Sequence, residues 1–137
     1  MKKRIKNEKG LTLIELLAVI VILAIIAAIA IPAIGNIINN SKDKATISEA
    51  LNIVAGAKLA KIEGLCGESD NACTEETEGI GDYIEGVTEG AEFSASYDGT
   101  KWSVTFSELA NIKNTDRFEI DSEGPHDEAV LKAAVEK

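Results

Sequence analysis

A run of sixteen apolar residues at positions 16–31 is the feature that most constrains how this 137-residue chain can fold. Counted from Leu11 as an α-helix rising about 1.5 Å per residue, the segment is roughly 30 Å long, which matches a bilayer core. A secretory signal would end in a cleavage site with small residues, whereas this chain continues with Pro32 and further isoleucines. A retained membrane helix is therefore predicted, with one small soluble domain after it.

Charge is divided unevenly around this helix. Residues 1–10 contain five of the 14 basic residues and one of the 23 acidic residues, so their removal changes the formal net charge from −9 to −13. The basic start, with no further Lys or Arg before Lys42, predicts a cytoplasmic N-terminus and an acidic domain across the membrane. Because so acidic a surface repels a phosphate backbone, direct nucleic-acid binding is not expected.

Two cysteines, Cys66 and Cys73, enclose six residues, and His126 is the one histidine. These are too few ligands for a structural zinc site, so no metal and no cofactor is predicted. In an exported domain the spacing favours a short disulfide loop, whereas in the cytosol the pair would be two reduced thiols. The acidic stretch 68–78 lacks the spacing of a calcium loop and is interpreted as a solvated loop.

Glu15 is out of place at the start of the apolar run. A carboxylate at mid-membrane costs about 2.5–3.5 kcal/mol on insertion scales, although less near the headgroups, and such residues are usually functional. The alternative is a headgroup-level glutamate whose carboxylate reaches water. The residue types alone leave both interpretations open.

The sequence around Glu15 resembles a known motif. Residues 9–15 read KGLTLIE, they follow a short basic leader, and Pro32 lies further along the same apolar helix. This pattern is similar to the prepilin cleavage and methylation motif of type IV pilins and pseudopilins, over roughly residues 1–50. The resemblance implies that a prepilin peptidase cuts after Gly10 and methylates the new amino group of Leu11. It also implies that Glu15 is required for efficient assembly.

Physical chemistry gives these positions a rationale. Gly10 has no Cβ, so the chain can extend into a protease cleft at little steric cost. In the pilin family, the amine at position 11 and the carboxylate of a neighbouring subunit are thought to neutralise each other, although Glu15 also lies one turn from its own Leu11 amine. Both pairings stay open. Pro32 cannot donate a helical hydrogen bond, which predicts a kink.

Two positions depart from the common family pattern. Ala24 stands where many members have glycine, which makes melting of the helix before Pro32 less favoured. Leu11 replaces the commoner phenylalanine, which changes the methylated product.

The soluble domain has two strong periodic patterns. Residues Ile47, Leu51, Val54 and Ala57 recur at helical steps, so an amphipathic helix is predicted to run to about residue 63. Residues 93–97 and 102–106 alternate around Asp98-Gly99, which predicts a hairpin with a two-residue type I′ turn. The predicted register sets Ala95 opposite Trp102 and Phe93 opposite Val104. The apolar face of the hairpin should cover the helix, with Trp102 in the core.

Weaker patterns fill the remainder. Residues 64–90 are rich in Gly, Glu and Asp, which predicts an irregular connection with one helical turn at 80–87. Residues 117–121 alternate and are predicted to form a third strand. Residues 127–137 are predicted to form a short helix with a Glu128–Lys132 pair, covering a sheet edge. The predicted fold class is α+β and pilin-like: a long N-terminal α-helix packed on a small antiparallel β-sheet.

These observations predict three segments: a cleaved leader (1–10), an apolar helix for the membrane and filament core (11–40), and an extracytoplasmic domain (41–137). The sequence shows no nucleophile–base pair or phosphate-binding loop, so an enzyme is not expected. The resemblance implies a major pilin in a homo-oligomeric helical filament for adhesion, motility or DNA uptake.

Assembly would start in the membrane and end at the cell surface, with prepilin peptidase, an assembly platform and motor proteins as partners. The alternatives are a pseudopilin of a type II secretion-like system and a single-pass anchor that displays an interaction domain.

Overall fold

The computed structural model of the chain describes residues 8–67, 71–121 and 124–137. Most of the predicted leader and residues 68–70 of the acidic stretch lie outside the described residues. The chain divides into two compact units, the first ending at Ile38 and the second covering Asn39–Lys137. One helix, α1 (Glu8–Ile62), contributes residues to both units.

In the first unit α1 exposes its apolar side chains. The large aliphatic side chains from Leu13 to Ile38 are between 48% and 71% exposed, so nothing in the unit covers them. Within the described residues, α1 is the one helix long and apolar enough to cross a membrane. Pro32 lies inside the helix, and residues 24–32 are helical. A kink at Pro32 stays a prediction.

The second unit adds a four-stranded antiparallel sheet in the order β1-β2-β3-β4. Its strands are β1 (Ala72–Thr74), β2 (Phe93–Tyr97), β3 (Trp102–Phe106) and β4 (His126–Asp127). The unit also contains two further α-helices, α2 (Thr115–Phe118) and α3 (Glu128–Glu136), and two 3₁₀ turns, Ile80–Asp82 and Ser107–Asn111. The α+β, pilin-like prediction is confirmed.

The core lies between the second half of α1 and one face of the sheet. Ile47, Val54 and Ala57 are buried as predicted, whereas Leu51 is only half-buried. The buried stripe is completed by three positions that the prediction omitted, namely Ala50, Ile53 and Ala60. From the sheet, the hairpin residues Phe93, Ala95, Val104 and Phe106 join the same cluster. Trp102 packs on the margin of this cluster rather than inside it.

The predicted hairpin forms, but its register is wrong by two residues. Ala95 pairs with Val104 and Tyr97 with Trp102, so the turn is centred on Gly99-Thr100 rather than on Asp98-Gly99. Asp98 instead accepts hydrogen bonds through its carboxylate, at 2.8 Å from Thr100 N and 2.9 Å from Lys101 N. A shift of two residues keeps every side chain on its predicted face of the sheet. The hairpin side chains predicted to face the helix therefore still do so.

Three short elements correct the weaker predictions. Residues 64–90 contain strand β1, which was not predicted, and their helical turn is a 3₁₀ turn limited to Ile80–Asp82. Residues 117–121 form no strand: α2 ends at Phe118, and Glu119 adopts a left-handed φ of 54°. The C-terminal helix α3 is confirmed, with β4 pairing to the edge of β3 before it.

Candidate processing and assembly site

Gly10 and Leu11 lie in the first turn of α1, which begins at Glu8. The first N–H groups of a helix have no intrahelical acceptor, so a terminal turn frays at low cost. If the chain were cut after Gly10, then Leu11 and Glu15 would be four residues apart and share one helix face.

Glu15 is exposed and surrounded by exposed aliphatic side chains. Its neighbours Ile14 and Leu16 are 62% and 63% exposed, so the helix around the carboxylate is apolar and uncovered. Among the residues whose side chains the structure describes, none forms a hydrogen bond or ion pair with Glu15. A carboxylate that enters an apolar environment in this state is costly until a cation compensates it. The site can therefore bind a cationic group, and the amine that a cut after Gly10 would create is of that kind.

A comparison with protein families gives a match for the N-terminal region. Residues 5–31 match the prokaryotic N-terminal methylation motif. The chain carries the class III leader of type IV pilins. The match includes Gly10, Leu11 and Glu15 and ends one residue before Pro32. No curated protein and no solved structure gives a significant match.

The matched motif indicates a class of function. It supports a structural subunit of the type IV pilin or pseudopilin kind rather than an enzyme. It implies processing by a prepilin peptidase and assembly into a filament. Together with the single apolar helix, it fits a chain that is first anchored in a membrane and then belongs to a surface filament.

A disulfide joins Cys66 to Cys73, the pairing that the sequence favoured for an exported domain. Both sulfurs lie against the helix, 3.9 Å and 3.6 Å from the carbonyl oxygen of Ala57. Cys73 belongs to β1 and is fully buried. The bond therefore fastens the edge strand of the sheet to the end of α1.

Asp43 is a buried anchor that the sequence analysis did not identify. Its side chain is 4% exposed and accepts hydrogen bonds from the backbone N–H groups of Lys113 and Asn114, at 3.1 and 3.0 Å. The side-chain amide of Asn114 donates a further bond at 2.9 Å. These contacts hold the loop before α2 against the helix. No sequence signal could have revealed them, because the partners are about seventy residues apart.

A second polar contact joins α1 to the C-terminal helix. Glu128 lies 2.6 Å from the ammonium of Lys58 and 2.7 Å from that of Lys132. The hydrogen bond from Lys132, followed by that from Lys58, lowers the pKa of Glu128 below its ordinary value. The predicted pair within α3 is thus one arm of a three-residue cluster.

Proposed function

We propose that this chain is the major structural subunit of a type IV pilus-like filament that serves adhesion, motility or DNA uptake. The observation that carries the proposal is Glu15, which pairs with none of the described side chains and lies on an uncovered apolar helix, five residues beyond Gly10 in the matched motif. Tip pilins often lack this glutamate, so its retention favours an abundant, self-assembling subunit.

The proposed mechanism begins with α1 in the membrane and residue 1 in the cytoplasm. The peptidase cuts after Gly10 and methylates the amine of Leu11, which keeps its positive charge. The subunit then leaves the bilayer for the filament core, where its apolar helix stays out of water. Pairing of Glu15 with the amine of a neighbouring copy neutralises two buried charges and favours one axial register. A bend at Pro32 would let the helix adapt to the core.

Mass spectrometry of surface material tests the processing step. Shearing the cells should release fibres whose subunit begins at N-methylated Leu11. A membrane-retained chain that still carries residues 1–10 would contradict the proposal and support the single-pass anchor instead.

A Glu15→Ala substitution tests the assembly step. The variant should be cleaved normally but should yield at least tenfold fewer sheared fibres, because the Leu11 amine then enters the core unpaired. Glu63→Ala is the matched control, since Glu63 is an exposed carboxylate just beyond the other end of α1. Normal assembly of the Glu15→Ala variant would contradict the proposed pairing of Glu15 with the Leu11 amine.

A pseudopilin remains a second candidate, because the same leader occurs in both classes. The two differ in filament length and in the effect of deleting the gene. A major pilin should give long fibres at native expression level, and its loss should abolish adhesion, twitching or DNA uptake. Loss of protein secretion, without any surface fibre, would assign the chain to a secretion machine. In either class, the assembly platform and motor are the expected partners.

A further inference from the structure

The soluble domain carries an uncompensated acidic surface. Between Lys61 and Lys101 the chain has eleven acidic residues and no basic one. Seven of these carboxylates are exposed and form no side-chain hydrogen bond or ion pair with the described residues. We call the five that lie between residues 76 and 89 the acidic face: Glu76, Glu78, Asp82, Glu85 and Glu89. Their mutual repulsion is relieved only by cations from elsewhere.

A groove borders the acidic face at Glu76 and Glu78. It has a volume of about 590 Å³, and its walls are formed by residues 75–81 and by residues between 84 and 93. Ile80, Ile84 and Val87 make the floor apolar, while Glu76 and Glu78 stand at its rim. A lysine fits this combination, because its aliphatic stem can cover the floor while the ammonium reaches the carboxylates.

The same domain carries a basic cluster whose lysines lack acidic partners. The ion pairs of the described residues use Lys58, Lys101, Lys132 and Lys137. We use the name basic cluster for Lys42, Lys44 and Lys113, none of which forms an ion pair in the described part of the chain; Lys42 and Lys44 flank Asp43 and point to different sides of α1. Lys113 lies beside the start of the unit, with its ammonium 3.5 Å from the side-chain oxygen of Asn39.

Within one chain, Asp82 and Glu85 lie farther from the basic cluster than Glu89 does, because Glu89 follows Thr88 beside Glu49. Thr88 donates two hydrogen bonds to Glu49, which fixes the acidic segment beside the middle of the helix, and Asp82 and Glu85 lie opposite residues 52–59. The basic cluster is held at residues 39–44 by Asp43. Thirteen residues from Lys42 to Ala55 correspond to about 20 Å along a helix.

We propose that the acidic face of one copy binds the basic cluster of a second copy. The inference rests on the proposed function, because it places the contact between subunits of one filament. Each copy supplies both surfaces at different places, so the contact is heterologous and repeats from copy to copy, as an open helical assembly requires. Exposed ion pairs set orientation and register more than affinity, which leaves the affinity to the apolar helices.

A zero-length carbodiimide cross-linker applied to native sheared fibres tests the contact without any mutation, because it couples only amines and carboxylates in direct contact. Mass spectrometry should find Lys42, Lys44 or Lys113 coupled to the acidic face in the fibres but not in the detergent-solubilised monomer, where only links within one chain can form. The pairs Lys58–Glu128 and Lys101–Asp127 are internal positive controls. Cross-links that include these controls but join the basic cluster only to other carboxylates would overturn the inference.

Charge reversal gives an independent test in whole cells. Lys42→Glu with Lys44→Glu, and separately Glu78→Lys with Glu85→Lys, should each lower the yield of sheared fibres at least fivefold. Combining all four should restore at least half of the yield. Asp116→Lys with Glu136→Lys is the control, because both side chains are exposed and the change in net charge is the same as in the acidic-face variant.

The outcomes separate this inference from the proposed function. Fibres from the wild type together with normal fibres from both reversed variants would reject the charge contact and leave the filament proposal intact. A wild-type chain that is neither processed nor assembled would reject the filament itself.

Discussion

Gly56 is a position in α1 where the neighbouring residues leave no room for a side chain. A Cβ built on Gly56 would lie 2.5 Å from the carbonyl oxygen of Tyr83 and would overlap the Ile84 side chain. The isoleucine side chain could rotate, but the carbonyl belongs to the backbone. That backbone is fixed, because Tyr83 N–H donates to the carbonyl of Ile80 at 3.0 Å and Ile80 is buried in the core.

Two opposing effects determine how much a Gly56→Ala substitution changes the free energy of unfolding. Alanine favours the helix over glycine by about 0.8–1 kcal/mol. Forcing a methyl group into a closed contact costs about 1–3 kcal/mol, and the Tyr83 carbonyl must move by roughly 1 Å to restore an ordinary separation. Because the clash involves backbone, we place the cost near the upper end. The net loss in the free energy of unfolding is then about 1–2 kcal/mol.

Urea unfolding of the detergent-solubilised full chain measures this loss. Trp102 is the one tryptophan in the sequence and lies 5.4 Å from the ring of Tyr97, so its fluorescence reports on the soluble domain. With a typical urea slope, the midpoint should fall by roughly 0.5–1 M. Asn52→Ala, on an exposed position of the same helix, should instead raise it slightly. A midpoint for Gly56→Ala at or above the wild type would refute the packing argument.

The strongly periodic elements could be predicted from sequence. The helix carries an apolar stripe at steps of three and four, and the hairpin carries alternation on both strands. Each repeats one physical requirement several times, so a single exception such as the half-buried Leu51 does not change the outcome.

The prediction of the hairpin turn was wrong because two local conformations compete at Asp98. Asp98 tolerates a left-handed conformation, but its carboxylate can also accept hydrogen bonds from the next N–H groups. In the structure it does the latter, and these bonds from Lys101 and Thr100 lower the pKa of Asp98 to about 2. Gly99 alone takes the positive φ, of 99°. The Asp-Gly pair therefore locates a turn without fixing its register.

Short elements and single contacts could not be predicted. Strand β1 has three residues and β4 has two, too few for any period to show. Phe118 and Ile120 do reach the core, as alternation suggested, but through the left-handed Glu119 rather than a strand. At the candidate site, the offsets among Gly10, Glu15 and Pro32 identified the leader, whereas one uncut chain cannot show the proposed partner of Glu15, which is the amine that a cut after Gly10 would create.

Two further predictions concern the stability of the domain. Replacing Cys66 and Cys73 by alanine should lower the free energy of unfolding by about 2.5 kcal/mol, from the closure entropy of an eight-residue loop. Wild type with reductant should show the same loss, and an unchanged urea midpoint would contradict it. Glu128 contributes stability above its unfolded-state pKa of about 4.3, and this is lost as the pH falls through its lowered folded-state pKa. Glu128→Gln, which removes the charge contacted by Lys58 and Lys132, should therefore cost about 1 kcal/mol at pH 7 and less at pH 3. A loss that is equal at both pH values would show that the side chain acts by packing and not by charge.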